Sequence, residues 1–347
     1  MAYTTIDKPT DYFETVTYAG GTTDISSLDF QPDWVWGKKR DGAENHGIFD
    51  SVRGATKTIN SNTTAAESTR GGSLTSFDND GFTMGGSDGI ISNSGSTYVA
   101  WCWRAGTSFT NDASSTGVGS IDSTGSFNND AGFSIVSYTG TGSAGTIKHG
   151  LNSTPSWILV KNRIDGSIYW YNYLKVLGNN TELYLNGQDA APNSTGAWNT
   201  TSPTSSVFSV GSHGGTNASG EATIAYCFAE KQGYSKFGSY TGNDNADGTF
   251  VYTGFAPAWV MIKRTNSVND WLILDTKRNP INPSNERILA NTNAAASTAN
   301  TMVDFLSNGF KPRSTYGGIN GDSDNFIYMA FAESPLVNSN GIPNNAQ

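Results

Sequence analysis

The stretch Pro32-Asp33-Trp34-Val35-Trp36-Gly37-Lys38, drawn out as an extended chain, is apolar on both sides. Trp34, Trp36 and Lys38 fall on one face, Val35 and Gly37 on the other. Aromatic and β-branched residues with no polar alternate face describe a strand buried on both sides, its lysine reaching the rim. The proline two residues ahead suits the first position of a strand, where no ladder donor is needed. The element returns as Pro155-Ser156-Trp157-Ile158-Leu159-Val160-Lys161, 123 residues on by its tryptophan, and after a further 102 as Pro257-Ala258-Trp259-Val260-Met261-Ile262-Lys263. A repeat of this kind decides the organisation before any motif does.

Other markers keep the same order. Upstream stand Tyr18-Ala19-Gly20, Tyr138-Thr139-Gly140 and Tyr240-Thr241-Gly242. Downstream come Gly81-Phe82, Val207-Phe208 and Gly309-Phe310, then Asn93, Asn217 and Asn320. Each set closes on an apolar run: Tyr98–Trp103, Ile224–Phe228 and Phe326–Phe331. About 100 residues per repeat, with short alternating stretches separated by Gly, Asn, Asp and Ser, is the signature of sandwich strands. The expectation is an all-β chain of three tandem β-sandwich domains: residues 1–108, 130–234 and 235–337. The Gly/Ser/Thr-rich residues 109–129 read as a linker or surface loop, and residues 338–347 as a fraying tail. Helical signal is weak, with a turn or two expected in Ala294–Phe305 and in Thr63–Thr69.

Composition narrows the function. Glycine numbers 40 of 347 residues, charged residues make up 15% and aromatics 12%, so the polarity comes from neutral side chains while cores remain affordable. A net charge of −9 argues against a binder of phosphate backbones. No apolar run reaches 18 residues and no basic head precedes an apolar segment, so neither a transmembrane helix nor a signal peptide is expected. Cys102 and Cys227 hold matching places in successive repeats, where the third has Ala330; they read as buried free thiols.

Chemistry-bearing patterns are sparse. His46, His149 and His213 lack a second ligand at metal spacing and fall at unmatched repeat positions. Asp78-Asn79-Asp80-Gly81 and Asn243–Gly248 are oxygen-rich, but neither has the glutamate that closes a calcium loop, so both read as turns; a structural calcium at one of them is the alternative, and no other cofactor is expected. Asp50, Asp275, Glu230 and Glu333 are the carboxylates a glycosidase would draw upon, yet nothing pairs them. Asp50-Ser51-Val52-Arg53 and Asp275-Thr276-Lys277-Arg278 are repeat equivalents, with Tyr173 expected in the matching place of repeat two. A feature repeated in this way reads as a structural ion pair, and no catalytic residue is assigned. Trp34, Trp157 and Trp259 recur and read as core. Tyr169, Trp170, Tyr171, Trp198 and Tyr316 do not recur, and are the candidates for contact with a ligand through exposed rings.

Tyr12-Phe13, Phe30-Gln31-Pro32-Asp33-Trp34-Val35-Trp36, Phe49-Asp50-Ser51-Val52-Arg53-Gly54-Ala55, Thr75–Phe82 and Tyr98–Trp103, taken together, resemble a repeat family abundant in marine bacteriophages. The likeness is strong in repeat one and looser in repeats two and three, which keep the Pro-x-Trp anchors and lose the Asp-Ser-Val-Arg-Gly string. It implies a virion or tail-fibre-associated protein with concanavalin-like or SPRY-like β-sandwiches, of the jelly-roll kind expected for the fold, and no catalytic residues to carry over. The expectation that follows is a non-enzymatic structural protein of the virion, assembled in the host cytoplasm and displayed outside on the particle. It would be of tail-fibre or receptor-binding type, recognising a host-surface glycan or protein, contacting other virion proteins and forming a homo-oligomer. A capsid or tail decoration protein is the alternative, and a polysaccharide depolymerase the third reading.

Overall fold

The computed structural model describes residues 3–344, whose regular structure is almost entirely β-strand arranged in antiparallel sheets. Each repeat builds a larger and a smaller sheet. In repeat one the larger runs Phe13–Ala19, Thr97–Trp103, Trp34–Lys39, Gly47–Asp50 in spatial order. Repeat three follows the same order with Ser235–Thr241, Asn325–Pro335, Phe255–Arg264 and Trp271–Asp275, and adds Ile288–Leu289 at the edge. Repeat two has it too, in Phe133–Thr139, Ala222–Phe228, Trp157–Asn162 and Tyr171–Leu174, extended at one side by Gly178–Tyr184. At its other side lie Thr107–Asn111 and Ser123–Asn128, so the segment expected as a linker, residues 109–129, carries strands of this sheet at both ends, joined by a loop with the helical turn Ala113–Thr116.

Strand pairing gives exact equivalences. Phe13, Trp103, Trp34 and Asp50 stand side by side; so do Phe133, Phe228, Trp157 and Leu174, and again Ser235, Phe331, Trp259 and Asp275. The counterpart of Asp50 in repeat two is therefore Leu174, not Tyr173. Leu174 follows Trp157 by 17 residues, against 16 in the other two repeats, so the connecting hairpin is one residue longer. A shift of one residue turns a side chain to the opposite face.

The alternation predicted for the Trp-containing strands holds. One face of each larger sheet joins its own smaller sheet in a private core: Val35, Phe49 and Phe82 in repeat one, Ile158, Val160 and Phe208 in repeat two, Val260, Ile262 and Phe310 in repeat three. The opposite faces meet one another. Trp34, Trp101 and Trp103 share a single cluster with Trp157, Tyr226 and Phe228 and with Trp259, Met261 and Phe331. Eight of the nine tryptophans lie in it, so the aromatic surplus goes chiefly into joining the repeats. Trp34 contacts Tyr226 of repeat two at 4.8 Å between ring centres, and Trp103 contacts Trp259 of repeat three at 5.8 Å. Such pairs add about 0.5–1.5 kcal/mol each beyond burial.

Hydrogen bonds close the three repeats into a ring. Lys38, Lys161 and Lys263 do not reach a rim; all are fully buried. Lys38 Nζ donates to Asn293 O of repeat three, Lys161 Nζ to Thr64 O of repeat one at 2.8 Å, and Lys263 Nζ to Gln188 O of repeat two at 3.0 Å. Burial pulls each ammonium down to about 8. A second set runs the same way round. His46 Nε2 meets Leu289 O at 3.0 Å, Trp170 Nε1 donates to Asn60 O at 2.8 Å, and Trp271 Nε1 donates to Tyr184 O at 3.0 Å. Trp36 Nε1 donates to His46 Nδ1, so the proton of the neutral imidazole sits on Nε2, where it copies an indole N–H. A backbone set completes the ring, with Ala296 N donating to Arg40 O, Glu67 N to Arg163 O and Ala191 N to Thr265 O.

The remaining expectations divide. Cys102 and Cys227 are free and buried, their thiols pushed up by desolvation. Helices are single turns at Ala113–Thr116, Gly214–Asn217 and Gly317–Asn320, with a 3-10 turn at Pro9–Asp11. Neither Thr63–Thr69 nor Ala294–Phe305 is helical; both end in strand. The tail is tied down where it is described, with Ser339 N bonded to Asp7 and Asn344 Nδ2 to Ser307 O; residues 345–347 lie outside the described residues. No helix among the described residues is long and apolar enough to cross a membrane.

Candidate ligand-binding cleft

The five aromatic candidates do not converge. Trp170 is completely buried at the seam with repeat one, and Trp198, 1% exposed, packs edge-on against Tyr173 in the private core of repeat two. Tyr171 is 5% exposed and packs against Tyr184 and His213. These three offer no ring face to a ligand. The expectation of an outward ring in Tyr169-Trp170-Tyr171 is met by Tyr169, 43% exposed and 5.0 Å from Tyr184. Tyr316 is half-buried under the Arg287 guanidinium, 4.7 Å from its ring centre, on the border of a separate cleft beside Arg313.

Two of the four carboxylates that a glycosidase would draw upon are held in the interior. Asp50 and Asp275 are fully buried and hold Arg53 and Arg278 at 2.5 and 2.6 Å. Each also accepts across a seam: Asp50 from Tyr226 OH at 2.6 Å, Asp275 from Trp101 Nε1 at 3.0 Å. Tyr226 and Trp101 are repeat equivalents, and the third member of that position is Met329. The missing donor and the missing acceptor, Met329 and Leu174, are thus both apolar members of the shared core.

A better-formed site lies where repeats two and three join. Tyr3 and Tyr252 flank a cleft of about 390 Å³ whose other walls are Glu230, Gln232, Ser235 and Lys236. Tyr252 is 53% exposed and Phe250, two residues back on the same side of an extended segment, is 45% exposed. Tyr3 OH donates to Gly254 O at 2.8 Å and lies 3.4 Å from Tyr252 OH. Burial, then Tyr252, raises the Tyr3 phenol to about 12, so it stays a neutral donor. Gly254 has φ +85°, and a Cβ there would stand 2.7 Å from Tyr3 Oη, so only glycine allows this closure. Glu230 is oriented by Lys236 Nζ at 3.2 Å and by Phe237 N at 3.1 Å. The cleft combines flat aromatic faces with an acid, an amide, an ammonium and hydroxyls.

Sequence reading missed Tyr3, Phe250 and Tyr252. The spacing Phe250-x-Tyr252 beside turn residues carried a signal. Tyr3 carried none, because it reaches Tyr252 across 249 positions of sequence.

The conserved order of sheets and the single shared core make the three repeats one unit, and the comparison with known families agrees in extent. The chain belongs to the family described as a domain of unknown function (DUF7483), matched over residues 8–335. The DUF7483 match covers all three repeats. No curated protein matches the chain. Among the described residues of this DUF7483 member, no group of three or more His, Cys, Asp or Glu side chains is placed to hold a metal ion.

Proposed function

We propose that this chain is a non-enzymatic bacteriophage virion component of tail-fibre or receptor-binding type, which recognises a host-surface glycan in the cleft between Tyr3 and Tyr252. Its three β-sandwich repeats, closed into a ring, serve as the rigid support, and the particle's other proteins are its assembly partners. The observation that carries the reading is Tyr252, more than half exposed and set beside Phe250 over a cleft lined with Glu230, Gln232 and Lys236. A sugar ring offers an apolar face to a tyrosine and hydroxyls to side chains of this kind. A volume of about 390 Å³ lies in the range of small-ligand sites. The likeness of repeat one to marine bacteriophage proteins supports the virion setting. Asp50 and Asp275, bound to arginines in the interior, give no support to hydrolysis.

A glycan array probed with the whole chain tests this directly. The wild type binds a restricted set of glycans, and Tyr252→Ala weakens that binding at least about tenfold, the equivalent of about 1.4 kcal/mol. Absence of any glycan binding, or full retention by Tyr252→Ala, overturns the proposal.

A further inference from the structure

Three equivalent strands, Phe13–Ala19, Phe133–Thr139 and Ser235–Thr241, open the larger sheets of the three repeats. Their even-numbered residues bond inward to the next strand: Tyr12 O accepts from Arg104 N, Gly132 O from Ala229 N and Tyr234 O from Ala332 N. The odd-numbered residues therefore turn their N–H and C=O groups outward. Each repeat treats that outward row differently.

In repeat two the row is paired along its length with Ser123–Asn128, and Thr107–Asn111 follows as a second added strand. In repeat three the chain closes much of the row itself. Ser235 N donates to Lys231 O at 2.9 Å, Phe237 N to Glu230 Oε1 at 3.1 Å, and Thr249 Oγ1 to Thr241 O at 2.7 Å. Ser239 alone keeps both groups unpaired there among the described residues. Repeat one has neither device. Thr22 N reaches Ala19 O at 3.3 Å, but Thr15 and Thr17 each keep both outward groups unpaired among the described residues. The strand is regular, without a bulge, and its sequence Phe-Glu-Thr-Val-Thr-Tyr-Ala contains no proline and no lysine. An edge of this kind is a template for another strand.

We propose that this edge pairs with the same edge of a second copy of the chain, antiparallel about a two-fold axis at Val16. The register is self-complementary. Thr15 of each copy stands opposite Thr17 of the other, and each such pair exchanges both N–H···O bonds. Threonine pairs are favourable across strands, and Glu14 falls opposite Tyr18, so no like charges face each other. A slip of one residue would set outward groups against inward ones. Repeat two, whose sheet runs two strands beyond the same position, demonstrates that the ring leaves room for such an extension. The two-fold axis closes the assembly at two copies. None of the residues of the Tyr252 cleft takes part.

Sedimentation velocity and residue-resolved hydrogen exchange of the whole chain test the join. A dimer of twice 36.9 kDa is expected to form as concentration rises, with the Thr15 and Thr17 amides gaining at least about tenfold protection in it. Thr17→Pro removes an N–H that the fold itself leaves unused, and is expected to weaken the dimer at least about tenfold. Ser239→Pro, the equivalent change in repeat three, is expected to leave the dimer unaltered. A chain that stays monomeric up to about 1 mM overturns the proposal. So does a dimer in which the Thr15 and Thr17 amides exchange as they do in the monomer, since its contact lies elsewhere. Protection of those amides in a monomer only after addition of the synthetic strand Asp-Ser-Thr-Gly-Ser-Phe-Asn-Asn, copied from residues 122–129, would assign the edge to a strand of another protein and overturn the second copy. Should Thr17→Pro fail to fold, the exchange measurement on the wild type still decides.

Discussion

The two faces of the same strands do different work. Val35, Ile158 and Val260 point into three private cores, each between one repeat's own sheets. Their neighbours Trp34, Trp157 and Trp259 point the other way, into one core that the repeats share. The private faces combine aliphatic side chains with Phe and Tyr rings, such as Phe82, Phe208 and Phe310, and hold only one tryptophan, Trp198. The shared face holds eight of the nine tryptophans, and from it Trp101, Trp170, Trp271 and Tyr226 donate across a seam to a carbonyl or carboxylate. The private cores thus define the repeat, and the shared core defines the protein.

The sharpest way to break this distinction is to truncate one residue of each kind. Trp103→Ala removes a fully buried ring that touches Trp34, Phe13, Trp259 and Phe331, and is expected to cost about 3–5 kcal/mol in denaturant unfolding. Its loss lowers hydrogen-exchange protection in all three repeats. Phe82→Ala, in the private core of repeat one, carries a similar cost but lowers protection there first.

A smaller effect sharpens the account of the seams. Tyr226→Phe deletes one hydroxyl that donates to buried Asp50 and leaves the Arg53 pair in place; a hydrogen bond to a charged group predicts a loss of about 1.5–3 kcal/mol. Met329→Leu, at the equivalent position of the seam without such a bond, is expected to cost less than about 1.5 kcal/mol.

Acid gives the finest discrimination. Burial, then Lys38, lowers His46 from 6.5 to about 3, so it stays neutral in the fold while the unfolded chain takes up a proton below about 6.5. Unfolding therefore binds the extra proton, and stability falls as pH drops from about 6.5 towards 3, by up to about 1.4 kcal/mol per pH unit through this residue. His149, in repeat two, is lowered to about 4 by burial and acts in the same direction. In His46→Phe the slope of stability against pH is expected to flatten, and with His149 intact it does not vanish.

Much of the fold was legible because strand periodicity is local. Pro-x-Trp-apolar-x-x-Lys announces a doubly buried strand, and its threefold return announces the repeats. What faces that strand is not local. Lys161 looks like a rim residue until Thr64 of another repeat covers it, and Trp170 looks like an exposed ring until Asn60 does. Glycine and serine in residues 109–129 suggested a linker, yet Ser123–Asn128 pairs with Phe133–Thr139 and Thr107–Asn111 with Ser123–Asn128, so both ends of the segment are strand. The candidate cleft was least legible, since its aromatic walls, Tyr3 and Tyr252, stand 249 positions apart in sequence.

The claim that the three repeats are one folding unit is tested most directly by calorimetric unfolding of the whole chain and of Trp103→Ala. The shared core predicts a single transition for the wild type, with equal calorimetric and van't Hoff enthalpies, and a shift of that entire transition in the variant. Two or three separable transitions, of which Trp103→Ala moves only one, would contradict it.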